Sequence, residues 1–157
     1  MWDRTPIEEA VSLVSDIERH HGRAMLIGGA ALFLYGKPMR SLDYDLWVRV
    51  ANDELVEILM AHGFEIDSNK PGRIIAYFEE CKFDFFLFKK ATNYDRELVE
   101  YDEIEASGRI VELEHGKLLI PSIEDMIKLK KLGDEIRPKD LEDIEYLEGL
   151  LKAENNP

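Results

Sequence analysis

Residues 26–48 read LIGGAALFLYGKPMRSLDYDLWV. This order predicts a short buried strand, a Gly-Gly turn, a helix that ends at Gly36 and Pro38, and a second strand that opens with two aspartates. Because side chains alternate along a strand, Asp43 and Asp45 share one face, roughly 6 to 7 Å apart. Two carboxylates this close repel each other unless a cation lies between them. The pattern therefore indicates a divalent-metal site with the oxygen ligands that Mg²⁺ prefers.

The paired glycines lie directly before the predicted helix. Gly28 and Gly29 allow the backbone to approach a ligand without an intervening side chain, and the first turn of a helix offers free N–H groups to an anion. A Walker A loop is a poorer interpretation, because Ala31 and Pro38 occupy the places of its glycine and its serine or threonine. A phosphate-binding turn beside a carboxylate metal site suggests Mg-nucleotide chemistry.

Gly28-Gly29, together with RSLDYD at residues 40–45, resembles the signature of the DNA polymerase β-like nucleotidyltransferase superfamily. In that superfamily a Gly-Gly or Gly-Ser turn precedes an Asp-x-Asp strand. The sequence is most similar to the minimal nucleotidyltransferases and the toxins related to the AbiEii group, although those toxins usually have serine at the place of Gly29. The resemblance implies an NTP substrate, Mg²⁺ or Mn²⁺ held by Asp43 and Asp45, and nucleotide contacts from Gly28, Gly29, Arg40 and Ser41.

A third carboxylate lies within an aromatic run, KFDFFLF at residues 82–88. Residues 73–79 and 82–88 are predicted to form an antiparallel hairpin. An unpaired charge in the middle of such a strand is costly, so Asp84 needs a cation or a hydrogen-bond donor nearby. The resemblance implies that Asp84 completes the metal triad and is the general base for the attacking hydroxyl. The alternative is a solvent-facing position beside Lys82.

Residues 122–152 are predicted to form a C-terminal helical part that begins with Ser122 as the N-cap. The resemblance extends to this segment and implies that Lys128 contacts the nucleotide. For Lys130 and Lys131, a solvated basic face is at least as good an interpretation. Weaker candidates from the same resemblance are Lys139, Asp140 and Asp143.

Periodicity elsewhere predicts further elements. Helices are predicted at about residues 6–21 and 54–62, and strands at 24–27, 110–113 and 117–120. The acidic segment at residues 95–105 is expected to be exposed.

Composition points to one domain over residues 1–157, and the resemblance implies that it is α+β, with a small mixed twisted β-sheet flanked by helices. The chain has 157 residues, 45% hydrophobic and 34% charged, which is enough for one core. No apolar run approaches the roughly 20 residues of a membrane-spanning helix. The N-terminus lacks the features of a signal peptide, so a cytoplasmic location without membrane partners is expected. The single Cys81 is expected to be structural.

The expected activity is transfer of a nucleoside monophosphate from an NTP to a hydroxyl or phosphate acceptor. The acceptor is left open between a tRNA, a protein and a small molecule such as an aminoglycoside. The net charge of −13 argues against a broad nonspecific nucleic-acid surface but leaves room for a local basic cleft. One expected role for this activity is that of a toxin whose partner is an antitoxin protein. The alternatives are a non-catalytic interaction module that binds a protein partner, and a hydrolase at a carboxylate metal site.

Overall fold

The structure, a computed structural model, describes residues 5–38 and 43–156. Its helices are α1 (Pro6–Arg19), α2 (Gly28–Leu34), α3 (Asn52–Ala61), α4 (Tyr101–Ala106), α5 (Ile123–Lys130) and α6 (Pro138–Asn155). Its strands are β1 (Arg23–Ile27), β2 (Asp43–Arg49), β3 (Glu65–Lys70), β4 (Arg73–Phe78), β5 (Cys81–Phe86), β6 (Lys90–Thr92), β7 (Leu98–Glu100), β8 (Arg109–Leu113) and β9 (Gly116–Ile120).

Five of these strands form a mixed sheet in the order β1-β2-β5-β4-β3. The β2–β5 pair is parallel, and the other three pairs are antiparallel. The predicted hairpin is therefore present as β4 and β5. The α+β class with a mixed sheet flanked by helices is confirmed.

One face of the sheet carries the larger part of the core. Helix α1 begins with Thr5 as its N-cap and Pro6 in its first turn. Its buried Leu13 and Ile17 belong to the same apolar cluster as Leu46 of β2. Because β2 alternates, Leu46 faces this core while Asp45 and Trp47 project to the opposite face.

The opposite face has a smaller cluster that includes Trp47 of β2. The indole Nε1 of Trp47 donates a hydrogen bond to the carbonyl oxygen of Phe88 at 2.8 Å. Val99, Tyr101 and Ile104 are buried against this cluster. The expectation that residues 95–105 are exposed is therefore wrong for these three side chains. They alternate with acidic residues that face solvent, and this hides their apolar pattern.

Two tyrosines connect the C-terminal helices to α2. The hydroxyl of Tyr146 donates to the carbonyl oxygen of Tyr35 at 2.9 Å, and the hydroxyl of Tyr35 donates to that of Pro121 at 2.6 Å. Ser122 caps α5 as predicted, since its Oγ accepts a hydrogen bond from the backbone N–H of Asp125 at 3.1 Å. These bonds hold α5 and α6 beside the turn that contains Gly28. None of the helices in the two described ranges has the length and apolar composition needed to cross a bilayer.

Candidate active site

Asp45 and Asp84 are direct neighbours in the sheet. They pair in register across the parallel β2–β5 ladder, so their side chains project from the same face. On its other side Asp45 pairs with Ile27, the residue before Gly28. The sheet therefore brings one acid of each motif to the edge of the Gly-Gly turn.

Asp84 is buried and is neutralised by an arginine. It is 6% exposed. Its Oδ1 accepts a hydrogen bond from Nε of Arg73 at 2.9 Å, and its Oδ2 accepts one from Nη2 at 2.5 Å. The Arg73 guanidinium also lies 5.3 Å from the centre of the Phe86 ring. The cation that the sequence required for this carboxylate is thus supplied by β4, and the solvent-facing alternative is wrong.

Asp45 has no such fixed partner among the hydrogen bonds of the described residues. Its burial, followed by the charge of Asp84, raises its pKa to about 6, although Lys130 acts in the opposite direction and Asp43 adds to the rise. A raised pKa for a carboxylate means that its charged form lacks compensation. A cation bound at Asp45 would remove this penalty.

Gly28 approaches Asp45 very closely. Its backbone has φ of +68°, and a Cβ at this position would lie only 2.3 Å from Oδ2 of Asp45. Only glycine allows both this conformation and this contact. Gly29 differs, because a Cβ there would meet nothing within 4 Å. The space beside Gly29 is open to a ligand.

The donor chemistry of this region suits a hard divalent cation. Asp43 and Asp45 offer carboxylate oxygens from one face of β2, and the raised pKa of Asp45 shows uncompensated negative charge. In the described ranges, however, no three Asp, Glu, His or Cys side chains are grouped so that they could hold a metal ion. Both oxygens of Asp84 bond to Arg73 instead. The predicted three-acid metal site stays a prediction, in which the ion would have to bind Asp84 beside Arg73 or in its place.

A cavity of about 220 Å³ opens beside Gly28 and Asp45. Its remaining lining comes mainly from the end of β5 and from the C-terminal helices, and it is largely apolar. These lining residues are Ile27, Phe86, Phe88, Met126, Leu129, Lys130, Leu132, Arg137 and Asp140.

The cavity lysine is Lys130, which is 14% exposed at its side chain. Its Nζ lies 3.0 Å from Oδ2 of Asp143, whose other oxygen accepts a hydrogen bond from Lys37. Burial alone would raise the pKa of Asp143, but the hydrogen bonds from Lys37 and Lys130 hold it below its ordinary value. The interpretation of Lys130 as part of a solvated face is therefore wrong. Lys131 pairs with Asp95 at 2.7 Å.

The other nucleotide-binding candidates lie elsewhere or are not described. Lys128 does not line this cavity, and its partly exposed Nζ is 3.9 Å from Oδ1 of Asp125. Arg40 and Ser41 fall outside the described residues.

Sequence reasoning missed Arg73 and Arg137 and did not select Lys130. Arg73 is recognisable only once the register of β4 against β5 is known, because facing Ile75 with Asp84 puts Arg73 beside Asp84 on the same face. Lys130 follows the buried Met126 by about one helical turn, so the apolar period of α5 places it near the buried face. Arg137 has no comparable signal.

No protein-family model matches this sequence, and no curated protein matches it. The structure is nevertheless similar to solved structures. Lincomycin-bound lincosamide antibiotic adenylyltransferase LnuA is 18% identical with a TM-score of 0.64, and the match covers 93% of this chain and 98% of that one. ANT(2'')-Ia in complex with adenylyl-2''-tobramycin is 16% identical with a TM-score of 0.62, over 96% and 92% of the two chains.

An antigenic nucleotidyltransferase-like protein from Paracoccidioides brasiliensis is 20% identical with a TM-score of 0.63, over 92% of this chain and 76% of that one. At these identities the likeness concerns the fold. The chain therefore has the nucleotidyltransferase fold that its sequence resemblance predicted.

Proposed function

We propose that this protein is a Mg²⁺-dependent nucleotidyltransferase that moves a nucleoside monophosphate from an NTP to a hydroxyl or phosphate acceptor. The observation that carries the proposal is the register of Asp45 with Asp84 at the edge of the Gly28 turn, within a nucleotidyltransferase fold. Two solved structures with this fold, LnuA and ANT(2'')-Ia, are named for antibiotic adenylyl transfer or bound to an adenylylated antibiotic.

In the proposed reaction the acceptor oxygen forms a bond to the α-phosphorus while the bond from that phosphorus to the bridging oxygen breaks. Pyrophosphate leaves, and for a hydroxyl acceptor the proton passes to Asp84. Asp43, Asp45 and Asp84 would hold Mg²⁺ or Mn²⁺, which supplies positive charge to the phosphate oxygens. Each oxygen of Asp84 accepts one hydrogen bond from Arg73 and keeps a second lone pair, but the paired guanidinium makes the carboxylate a weaker base.

Other residues would bind and orient the nucleotide. Gly28 and Gly29 allow the phosphates to approach the backbone, and Lys130 brings positive charge to the same cavity. Arg40, Ser41 and Lys128 remain candidates on the sequence resemblance. The acceptor is a tRNA, a protein or a small molecule, and the activity could serve as the toxin of a pair with an antitoxin protein.

A second candidate function is a non-catalytic module that keeps the fold and binds a protein partner. One specific observation favours it: Arg73 occupies both oxygens of the proposed general base. In that case the bidentate pair is permanent and stabilises the sheet.

The experiment that tests the proposal is transfer of label from [α-³²P]NTPs to pooled tRNA, cell protein and antibiotics, with and without Mg²⁺. We expect Mg²⁺-dependent labelling of one acceptor class, and its loss in Asp45→Asn and Asp84→Asn. Asp67→Asn, which changes an exposed carboxylate on β3, is the matched control and should keep full activity. Unchanged labelling in both site variants would refute the enzyme assignment. Failure to bind any NTP would favour the non-catalytic module, and phosphate release without transfer would indicate a hydrolase.

A further inference from the structure

One residue that lines the cavity beside Asp45 has a buried carboxylate oxygen without a hydrogen bond. Asp140 lines this cavity and is 5% exposed. Its Oδ2 accepts a hydrogen bond from Nε of Arg137 at 2.8 Å. Its Oδ1 has no hydrogen-bond partner in the part of the chain that the structure describes, and Nζ of Lys130 lies 3.7 Å away. Buried carboxylate oxygens are nearly always hydrogen-bonded, so this atom has unused capacity for a donor, which a ligand could fill once the carboxylate turns toward the cavity.

The rest of the cavity restricts what that ligand group can be. Phe86, Phe88, Leu129 and Leu132 present apolar side chains, and the space is about 220 Å³. Apolar walls with one hydrogen-bond acceptor suit a compact ring that carries an N–H donor at its edge. A nucleobase with an exocyclic amino group meets this description.

The position of the cavity favours the nucleotide over the acceptor. Gly28, beside which the phosphates are proposed to lie, lines the cavity, whereas Asp84, the proposed base for the acceptor hydroxyl, does not. Phe86 is the last residue of β5 and Phe88 lies just beyond it, so both follow Asp84 toward the C-terminal end of the strand. A group in this cavity therefore belongs to the molecule whose phosphates lie at Gly28.

We propose that Asp140 recognises the base of the NTP, with Oδ1 accepting a hydrogen bond from its exocyclic amino group. The inference rests on the proposed nucleotidyl transfer and adds to it a selection rule: the protein prefers a base that carries an amino group over the same base without one. Arg137 is then a positioning residue, because its hydrogen bond to Oδ2 leaves Oδ1 as the carboxylate oxygen that is available for the ligand.

The test measures NTP affinity by calorimetry with Mg²⁺ for three pairs that differ only in the amino group. These are ATP with purine riboside triphosphate, GTP with ITP, and CTP with pyrimidin-2-one riboside triphosphate. In the wild type we expect the amino member of at least one pair to bind about tenfold more tightly, as a hydrogen bond to a charged acceptor predicts. In Asp140→Leu that ratio should fall to about one.

Asp143→Asn is the matched control, because it alters the same group of ion pairs but does not line the cavity. It should change the affinity of both members of a pair equally and keep the ratio. If Asp140→Leu does not fold, Asp140→Asn gives the same test, with an expected ratio between those of the wild type and one. A ratio of one in the wild type, or a ratio that survives in the Asp140 variant, overturns this inference while NTP binding itself upholds the proposed function. Absence of any NTP binding in the wild type overturns both.

Discussion

Gly28 and Asp45 are in contact at the end of the β1–β2 pair, where a Cβ on Gly28 would lie 2.3 Å from Oδ2 of Asp45. Gly28→Ala should therefore displace Asp45 and strain a backbone with φ of +68°. We expect a loss of about 1–3 kcal/mol in the free energy of unfolding and at least a tenfold loss of transfer activity.

Gly29→Ala is the matched control, because its Cβ meets nothing within 4 Å. Its free energy of unfolding should stay within about 0.5 kcal/mol of the wild type, while NTP affinity falls if the phosphates approach this residue. Urea unfolding and calorimetric titration measure the two effects. Equal stability of the two alanine variants would show that the contact at Gly28 is not restrictive.

Arg73→Gln should lower the free energy of unfolding, because Asp45 and Asp84 then repel each other without a compensating cation. It leaves the buried Asp84 without its guanidinium. Because the Arg73 side chain is 51% exposed, solvent screens the interaction, and we expect a loss of only about 1–2 kcal/mol in the free energy of unfolding. Added Mg²⁺ should recover more stability in this variant than in the wild type, since the ion can replace the missing charge.

Arg109→Gln provides the comparison, because Arg109 pairs with Glu154 where both side chains are about half exposed. Its loss of stability should be within about 0.5 kcal/mol and independent of Mg²⁺. Urea unfolding with and without Mg²⁺ measures both variants. If Mg²⁺ changes the free energy of unfolding of the two variants by the same amount, a bound ion does not replace the charge of Arg73.

Lys130→Met should weaken NTP binding more than Lys128→Met. Lys130 lines the cavity, whereas Lys128 does not and is partly exposed beside Asp125. We expect roughly a tenfold loss of affinity for Lys130→Met, equivalent to about 1.4 kcal/mol. Calorimetric titration of both variants with the same NTP gives the comparison. The reverse order would instead support the assignment of Lys128 by resemblance.

Stability should depend on pH through His62, which joins α1 to α3. Nδ1 of His62 lies 2.7 Å from Oε1 of Glu9, and Nε2 lies 2.5 Å from Oδ2 of Asp16. The hydrogen bond to Glu9, with help from that to Asp16 and against the effect of burial, raises the pKa of His62 above its ordinary 6.5. The charged imidazole therefore stabilises the fold fully below about pH 6.5, and this contribution is lost as pH rises through the folded pKa.

Urea unfolding from pH 6 to 9 should show this loss, on the order of 1–2 kcal/mol. His62→Gln should flatten the dependence of the free energy of unfolding on pH in this range.

At acid pH the stability should also depend on Asp16, since the hydrogen bond from His62 lowers the pKa of Asp16 even though burial opposes it. Its contribution is present above pH 3.8 and disappears as pH falls through the lower folded pKa. A His62→Gln profile parallel to that of the wild type above pH 6.5 would exclude His62 as the cause.

Sequence analysis predicted the helices and strands whose apolar residues recur with a clear periodicity, or whose ends are marked by a capping residue. Helix α1, strands β1, β2, β4 and β5, and the capped start of α5 are of this kind. Strand β3 was missed, because its sequence EIDSNK is polar and it forms an exposed edge of the sheet. Strands β6 and β7 have only three residues each, too few for a period to be visible.

In the candidate site, the acidic residues could be predicted from the sequence, but not all of the residues that contact them. Asp45 and Asp84 were recognisable because each interrupts an apolar strand. The bonds from Arg73 to Asp84 depend on the register of β4 against β5, which residue types alone do not fix. That Lys130 and not Lys128 lines the cavity depends on how α5 is rotated against the sheet. Asp140 was only a weaker candidate from the sequence, because its oxygen without a hydrogen bond is visible only in the structure.

The parallel pairing of β2 with β5 has a consequence for how the protein reaches its working state. Antiparallel strands can join through a tight turn, but here α3, β3 and β4 intervene between Asp45 and Asp84, about 40 residues apart. Closing that long segment is an entropically costly step. Refolding protein should therefore recover its helical circular dichroism before it recovers the proposed binding of Mg-NTP, because the two acids meet only when this crossover is complete.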